Sequence, residues 1–223
     1  MVAVEGLDGA GKATLVAALT RAATARGASV STWTFPRYAD DVHAALAGEA
    51  LHGAHGDLRA SAHAMAVLFA LDRRDAAEPL RAAVAMHDLV LVDRYVASNA
   101  AYGAARAGED VDGPFASWVR ATEVERFAVP APDHHVLVRV PGALAAERVR
   151  TRAAADPDRA ADGYEADADL QARCADAYDQ LVDRAWWAPW SVVTADDTGP
   201  GALDPTAAAM VDAWLAPRGS SVP

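Results

Sequence analysis

The residues with the clearest chemical potential lie together near the start of the chain, in Gly6-Leu7-Asp8-Gly9-Ala10-Gly11-Lys12-Ala13-Thr14. An apolar run, Met1-Val2-Ala3-Val4, precedes them and an apolar-periodic run, Leu15-Val16-Ala17-Ala18-Leu19, follows. The order is strand, glycine loop, helix, in which backbone N–H groups can curl around a phosphate. The helix start adds unpaired N–H groups and a partial positive charge. Lys12 is the only lysine among 20 lysines and arginines. A compact ammonium here, in a chain that otherwise uses arginine, suits the outer phosphates of a nucleoside triphosphate. The position after the lysine often carries a Ser or Thr hydroxyl for Mg²⁺. Here it is Ala13, with Thr14 next, so another group must help hold the metal.

Further candidates fall where β-rich runs end. Phe35-Pro36-Arg37-Tyr38 follows the second run, and on its own reads as an ordinary turn more readily than as a binding edge. Met65, Phe69 and Arg73 are spaced by four, so on a helix they share a face that could stack a planar base and bond its edge; taken alone they read as core and solvated surface. Asp93-Arg94-Tyr95 closes the third run, with Asp93 suited to Mg²⁺ or its waters and Arg94 to a phosphate. Asn99 and Tyr102, three apart, face the same way on the helix that follows. Arg148 and Arg152 share a helix face before Asp156-Pro157-Asp158-Arg159, a stretch that fits a solvated charged face or a lid closing on phosphates; the glycine loop favours the lid. His52, His55 and His63 lack metal-ligand spacing and read as a polar loop, His134-His135 as structural, and Trp186, Trp187 and Trp190 as packing.

These positions need elements to hold them. The runs Val2–Glu5, Ala28–Phe35, Leu89–Asp93, His135–Val140 and Ser191–Thr194 read as strands, with helices between them. That alternation predicts a doubly wound α/β fold with a parallel sheet, binding ligands past the strands' carboxyl ends. Ser61 to His87 reads as helical, kinked or split by Pro79, and Leu203 to Leu215 as a closing helix. With 223 residues the chain suits one domain. A net charge of −11 argues against a nucleic-acid or membrane-surface binder. No apolar run is long enough to span a bilayer, the first strand starts at once with no signal peptide, and Cys174 is alone, which together point to the cytoplasm.

Taken together, the sequence resembles the thymidylate kinase family, in particular its actinobacterial form. The likeness covers nearly the whole chain. It is carried by Glu5 to Lys12, Phe35-Pro36-Arg37-Tyr38, Leu68-Phe69-Ala70-Leu71-Asp72-Arg73, Asp93 to Tyr102 and the stretch Arg159 to Glu165. A phosphate loop is shared by many kinases; Asp-Arg-Tyr followed by Ser, Asn and Tyr is far more specific. The resemblance implies the P-loop nucleoside monophosphate kinase fold, a five-stranded parallel sheet flanked by helices with a short lid. One kinase domain would span 1–217, with the lid at about 146–159 and a disordered tail at 218–223. It implies transfer of the γ-phosphoryl of ATP to dTMP, giving dTDP, with Mg²⁺ as cofactor and a homodimer as the assembly.

Residue by residue, the resemblance implies that Gly6, Leu7, Asp8, Gly9, Ala10, Gly11, Lys12, Ala13, Thr14 and Arg148 bind ATP. Phe35, Tyr38, Phe69, Arg73, Arg94, Asn99, Tyr102, Tyr164, Glu165 and Asp8 would bind dTMP. Phe69 would stack on thymine, Arg73 bond its O4, Asn99 meet the base and Tyr102 sit against the 2′ position. Tyr38 and Arg94 would hold the dTMP phosphate. Lys12, Asp8, Arg94 and Arg152 would be catalytic, and Asp8, Asp93 and Glu165 would face the metal. Two polyanions must meet in such a reaction, so several positive charges are required. Departures stand at Ala13, where some members carry arginine, and at Ala155 and Ala161 in the lid. Two alternatives remain at this stage: another small P-loop kinase, or a nucleotide-binding protein with weakened catalysis.

Overall fold

Two strands of nearly unbroken apolar sequence sit at the centre of the molecule, because strands buried on both faces have no use for alternation. They are β1 (Val2–Glu5) and β3 (Leu89–Asp93), fully buried but for the last residue of β3. The computed structural model describes residues 1–155, 162–194 and 201–216. β2 (Val30–Thr34), β4 (His134–Arg139) and β5 (Trp190–Thr194) complete an all-parallel sheet in the order β2-β3-β1-β4-β5. The register pairs Val4 with Asp93 and Glu5 with Leu137. From β1 the chain passes to the edge strand β2, returns to β3 beside β1, then crosses over to β4 and β5 on the other side. The switch point therefore lies at the carboxyl ends of β1 and β3, where sequence analysis placed the phosphate loop and Asp93-Arg94.

The edge strands start or end one or two residues away from their expected limits, and the closing helix α9 covers Asp204–Leu215. The other helices are α1 (Lys12–Thr24), α2 (Val42–Leu51), α3 (Ala62–Asp75), α4 (Ala77–Met86), α5 (Val96–Ala107), α6 (Pro114–Val119), α7 (Gly142–Ala155) and α8 (Ala168–Asp183). Asp41, Ser61 and Asp167 cap α2, α3 and α8 through side-chain oxygens that accept from first-turn N–H groups. The expected split of the 61–87 segment occurs at Ala76, three residues before Pro79. The reason is that Pro79 has no N–H to give to the carbonyl of Asp75, so it is tolerated only in the first turn of a new helix.

α5 is the pillar under the site. Ala97, Ala100, Ala101, Ala104 and Ala105 are all buried, and these short side chains let α3, α6 and α8 approach closely. α6 opens with Pro114 at its first position and runs on into wider π-helical turns over Arg120–Arg126. His135 is buried and stacks on Trp190 at 4.3 Å between ring centres. Burial pushes its imidazole down to about 3, so it is neutral, as a packing role requires. The expected lid coincides with α7 as far as Ala155; residues 156–159, Arg159 and Ala161 of the family likeness, and the tail at 218–223 lie outside the described residues.

Candidate active site

The loop between β1 and α1 folds tightly because its glycines take backbone conformations closed to other residues. Gly9 has φ +77°, and a Cβ on it would fall 2.3 Å from the Ala145 carbonyl oxygen. Gly11 caps α1 with φ +100°. Lys12 is buried, and its Nζ donates to the Leu7 carbonyl at 2.8 Å. Burial, and then the nearby Arg94 charge, push the Lys12 ammonium down to about 8, against the attraction of Asp8, Asp93 and Glu5. Gly6, Leu7 and Ala10 lie beneath the loop, where Leu7 and Ala10 are buried core. Asp8, Gly9, Gly11, Lys12, Ala13 and Thr14 line a cavity of about 1000 Å³.

Asp93-Arg94-Tyr95 turns sharply at the end of β3. Arg94 has φ +63°, a left-handed conformation that costs a non-glycine residue about 1–3 kcal/mol. The turn is held from β1: Arg94 N–H donates to the Val4 carbonyl at 2.9 Å, and Tyr95 N–H to Glu5 Oε1 at 2.9 Å. Ser98 Oγ donates to Glu5 Oε2 at 2.6 Å. Glu5, wholly buried, thereby locks the start of α5 to the central strand. The strained turn points the Arg94 guanidinium over the Tyr102 ring, 5.3 Å from its centre, and onto Asp8 Oδ1 at 2.5 Å. Tyr102 Oη donates to Asp8 Oδ2 at 3.0 Å. Burial would raise the Asp8 carboxyl, but the charges of Arg94 and Lys12 outweigh it and hold Asp8 well below the usual range.

Another part of the cavity lining combines apolar and polar side chains. Phe69, Arg73 and Met65 line it from one face of α3, and Asn99 from α5. Arg73 is buried and forms a two-pronged ion pair with Glu123. Phe35 is core at the cavity wall, and Tyr38 lies across Gly48 of α2. Arg37 ties the β2 loop to α3 through Asp72, with Nε donating to Oδ1 at 2.7 Å and the main-chain N–H to Oδ2 at 3.0 Å.

α7 and the turn after it close one side. Arg148 Nη1 reaches the Gly9 carbonyl at 3.4 Å. Arg152 pairs with Glu165 at 2.6 Å. Tyr164 stacks near Tyr102, and its hydroxyl accepts from Arg106, whose guanidinium lies 4.7 Å from the Tyr164 ring centre. Burial, and then the Asp8 charge, raise the Glu165 carboxyl.

The residues present suit Mg²⁺ as donor types, since it takes hard oxygen ligands and keeps waters and phosphate oxygens in its shell. Asp8, Asp93 and Glu165 all line the cavity, but they do not form a ready-made cage. Among the described residues the grouping close enough for that is Asp41, His43 and Asp75, where Asp41 already caps α2 and pairs with Arg37. It includes none of His52, His55 and His63.

Of the residues expected at the site, those from the loop through Glu165 converge on one cavity, apart from Gly6, Leu7 and Ala10 beneath it. Glu5, Arg106 and Glu123 were not singled out as site residues. Glu5 could have been found as a charge ending an apolar central strand. Glu123 and Arg106 gave no comparable local signal.

A family model described as "Thymidylate kinase" matches residues 4–191. The "Thymidylate kinase" of Mycobacterium tuberculosis is 50% identical over 208 residues, covering 93% of this chain and 97% of that protein. The "Thymidylate kinase" of Xanthomonas oryzae pv. oryzae is 35% identical over 153 residues, covering 68% and 61%. The "Probable thymidylate kinase" of Archaeoglobus fulgidus is 32% identical over 161 residues, covering 70% and 72%. A glycine loop, an arginine-tyrosine-carboxylate knot and the α3 face of Met65, Phe69 and Arg73 in one cavity, with a family match over most of the length, lead to one statement: this chain belongs to the thymidylate kinase family of phosphotransferases.

Proposed function

We propose that this chain transfers the γ-phosphoryl of ATP to the phosphate of dTMP, using the residues of the cavity in the following roles. The observation that carries the reading is that one cavity is lined both by the cationic glycine loop and by Phe69, Arg73 and Asn99. The backbone of Gly9 to Lys12 and the Lys12 ammonium bind the donor phosphates, and Arg148 approaches from α7. Phe69 stacks on the base and Arg73 meets its carbonyl edge. Tyr102 stands against the sugar, with Tyr38 and Arg94 on the acceptor phosphate and Tyr164 over the nucleoside.

The donor and acceptor phosphates repel one another. At an effective dielectric of about 20, two unit charges ~4 Å apart interact by ~4 kcal/mol. Lys12, Arg94 and Arg152 offset that repulsion, and Asp8 keeps Arg94 aimed before either nucleotide arrives. Phosphoryl transfer is largely a matter of positioning and charge stabilisation, and this arrangement supplies both. Asp8 and Asp93, with Glu165 lining the same cavity, would hold Mg²⁺ together with water, and the ion would supply neutralisation of the charge that develops on the phosphates. The family likeness also supports a homodimer, tested by sedimentation equilibrium. No described helix is long and apolar enough to cross a membrane, and a cytoplasmic location is part of the same reading.

The direct test is a coupled assay for ADP with dTMP, dUMP, dCMP and dGMP, with and without Mg²⁺. Metal-dependent turnover highest with dTMP is expected. Turnover with another nucleotide alone, or none, overturns the reading.

A further inference from the structure

Glu123 lies on the π-helical turns after α6, fully buried, and bonds two side chains of the cavity wall at once. Its Oε2 accepts from Arg73 Nε at 2.5 Å, and its Oε1 from Arg73 Nη2 at 2.8 Å. The same Oε1 accepts from Asn99 Nδ2 at 2.8 Å, while the Ala66 carbonyl accepts from Asn99 Nδ2 at 3.0 Å. A carboxylate and a main-chain carbonyl can only accept. The amide nitrogen of Asn99 must therefore face them, and Oδ1 is left on the other side. Turned over, the amide would bring Oδ1 against two acceptor oxygens. Among the described residues neither Asn99 Oδ1 nor Arg73 Nη1 has a protein partner, and both residues line the cavity. Together they offer one acceptor oxygen and one donor nitrogen, the Arg73 Nη1 amino group. Asn99 is moreover the only asparagine in the chain.

We infer that Glu123 is a positioning residue for pyrimidine selectivity: it holds the Asn99 amide so that Oδ1 accepts from the ring N–H of thymine, and leaves the Arg73 Nη1 amino group to donate to the adjacent carbonyl. This rests on the base subsite proposed above. Cytosine carries the opposite pattern, a ring acceptor beside an amino donor, so it would set acceptor against acceptor and donor against donor. A site with buried polar groups of fixed sense rejects a mismatched partner far more strongly than an apolar pocket does. The π-helical turns contribute by facing a buried carboxylate inward; such turns recur at functional sites.

Two measurements test it. Glu123→Gln keeps the shape but gives the amide a partner that can donate. The dTMP-over-dCMP ratio of kcat/KM should fall at least ~tenfold, with the loss on dTMP concentrated in KM rather than kcat. A folded, ATP-binding Glu123→Gln protein with an unchanged ratio overturns the inference. The second measurement needs no variant. In wild-type protein labelled with ¹⁵N-asparagine, the one side-chain amide should exchange its protons slowly with and without dTMP. Rapid exchange in the nucleotide-free protein overturns the inference even if the variant does not fold. Absence of dTMP turnover by the wild type would overturn the base reading and this inference with it, whereas an unchanged selectivity ratio overturns this inference alone.

Discussion

Arg152 of α7 is held 2.6 Å from Glu165, so an arginine of the cavity is already paired with a carboxylate of the same cavity. Its Nε is buried without a partner among the described residues. A charge held in place and short of one bond loses little freedom when phosphate arrives. Ala13 offers neither hydroxyl nor guanidinium, and in the proposed reading part of the charge that steadies transfer comes from this helix. An arginine acting on a phosphoryl transition state contributes roughly 10³–10⁵ in kcat. Arg152→Ala should lower kcat by at least ~100-fold with a much smaller change in KM for dTMP. Steady-state kinetics at saturating ATP and Mg²⁺ provide the check. A kcat within about threefold of wild type would shift the role to Arg148 or Arg159.

In the proposed reading Arg73 meets the base, and two of its nitrogens are committed to Glu123. Removing the side chain deletes the donor to the base and strands the Glu123 carboxylate in the core. Breaking a buried pair by removing one partner costs about 3–5 kcal/mol. Arg73→Ala should lower the melting temperature and weaken dTMP binding far more than ATP binding. Calorimetry with both nucleotides reads this out, and equal weakening of the two would remove Arg73 from the base subsite.

Tyr102 is fixed against Asp8 and beneath Arg94, so it cannot easily move aside for a 2′-hydroxyl. Thymidine ribonucleotide should have a lower kcat/KM than dTMP, and Tyr102→Phe should narrow the gap less than Tyr102→Ala. Equal kcat/KM for the two nucleotides in the wild type would show that Tyr102 does not crowd the sugar.

Lys12 has a pH signature. Its ammonium lies at about 8 in the free protein, depressed from the ordinary lysine value chiefly by burial. A bound triphosphate favours the charged form, so the complex binds its proton more tightly than the free site does. Below about pH 8 the proton is already present and affinity is flat. As pH rises through that value, binding must take up a proton, and ATP affinity should fall by up to ~tenfold per unit. Titration calorimetry from neutral to alkaline pH measures the slope, which Lys12→Ala should abolish along with most turnover. A pH-independent affinity in the wild type would refute the role given to Lys12.

Local arithmetic carried much of this molecule. The glycine spacing around Lys12, the carboxylate and arginine at the end of β3, and the four-residue step from Met65 to Arg73 all act within a few turns of chain. Strand and helix periods therefore place them without knowledge of what packs on what. The doubly wound sheet follows from the same alternation.

What tertiary structure decided was pairing across long stretches of sequence. Glu123 meets Arg73 and Asn99 only because α6 runs on into π turns beside α3 and α5. Arg152 meets Glu165 only through the turn after α7, and Arg94 is forced into its left-handed bend by Glu5 and Val4 on the neighbouring strand. Each is a buried or half-buried charge, or a strained residue, that no local propensity favours. Such arrangements persist because surrounding contacts over-determine them, and those contacts exist only once the sheet and helices have packed.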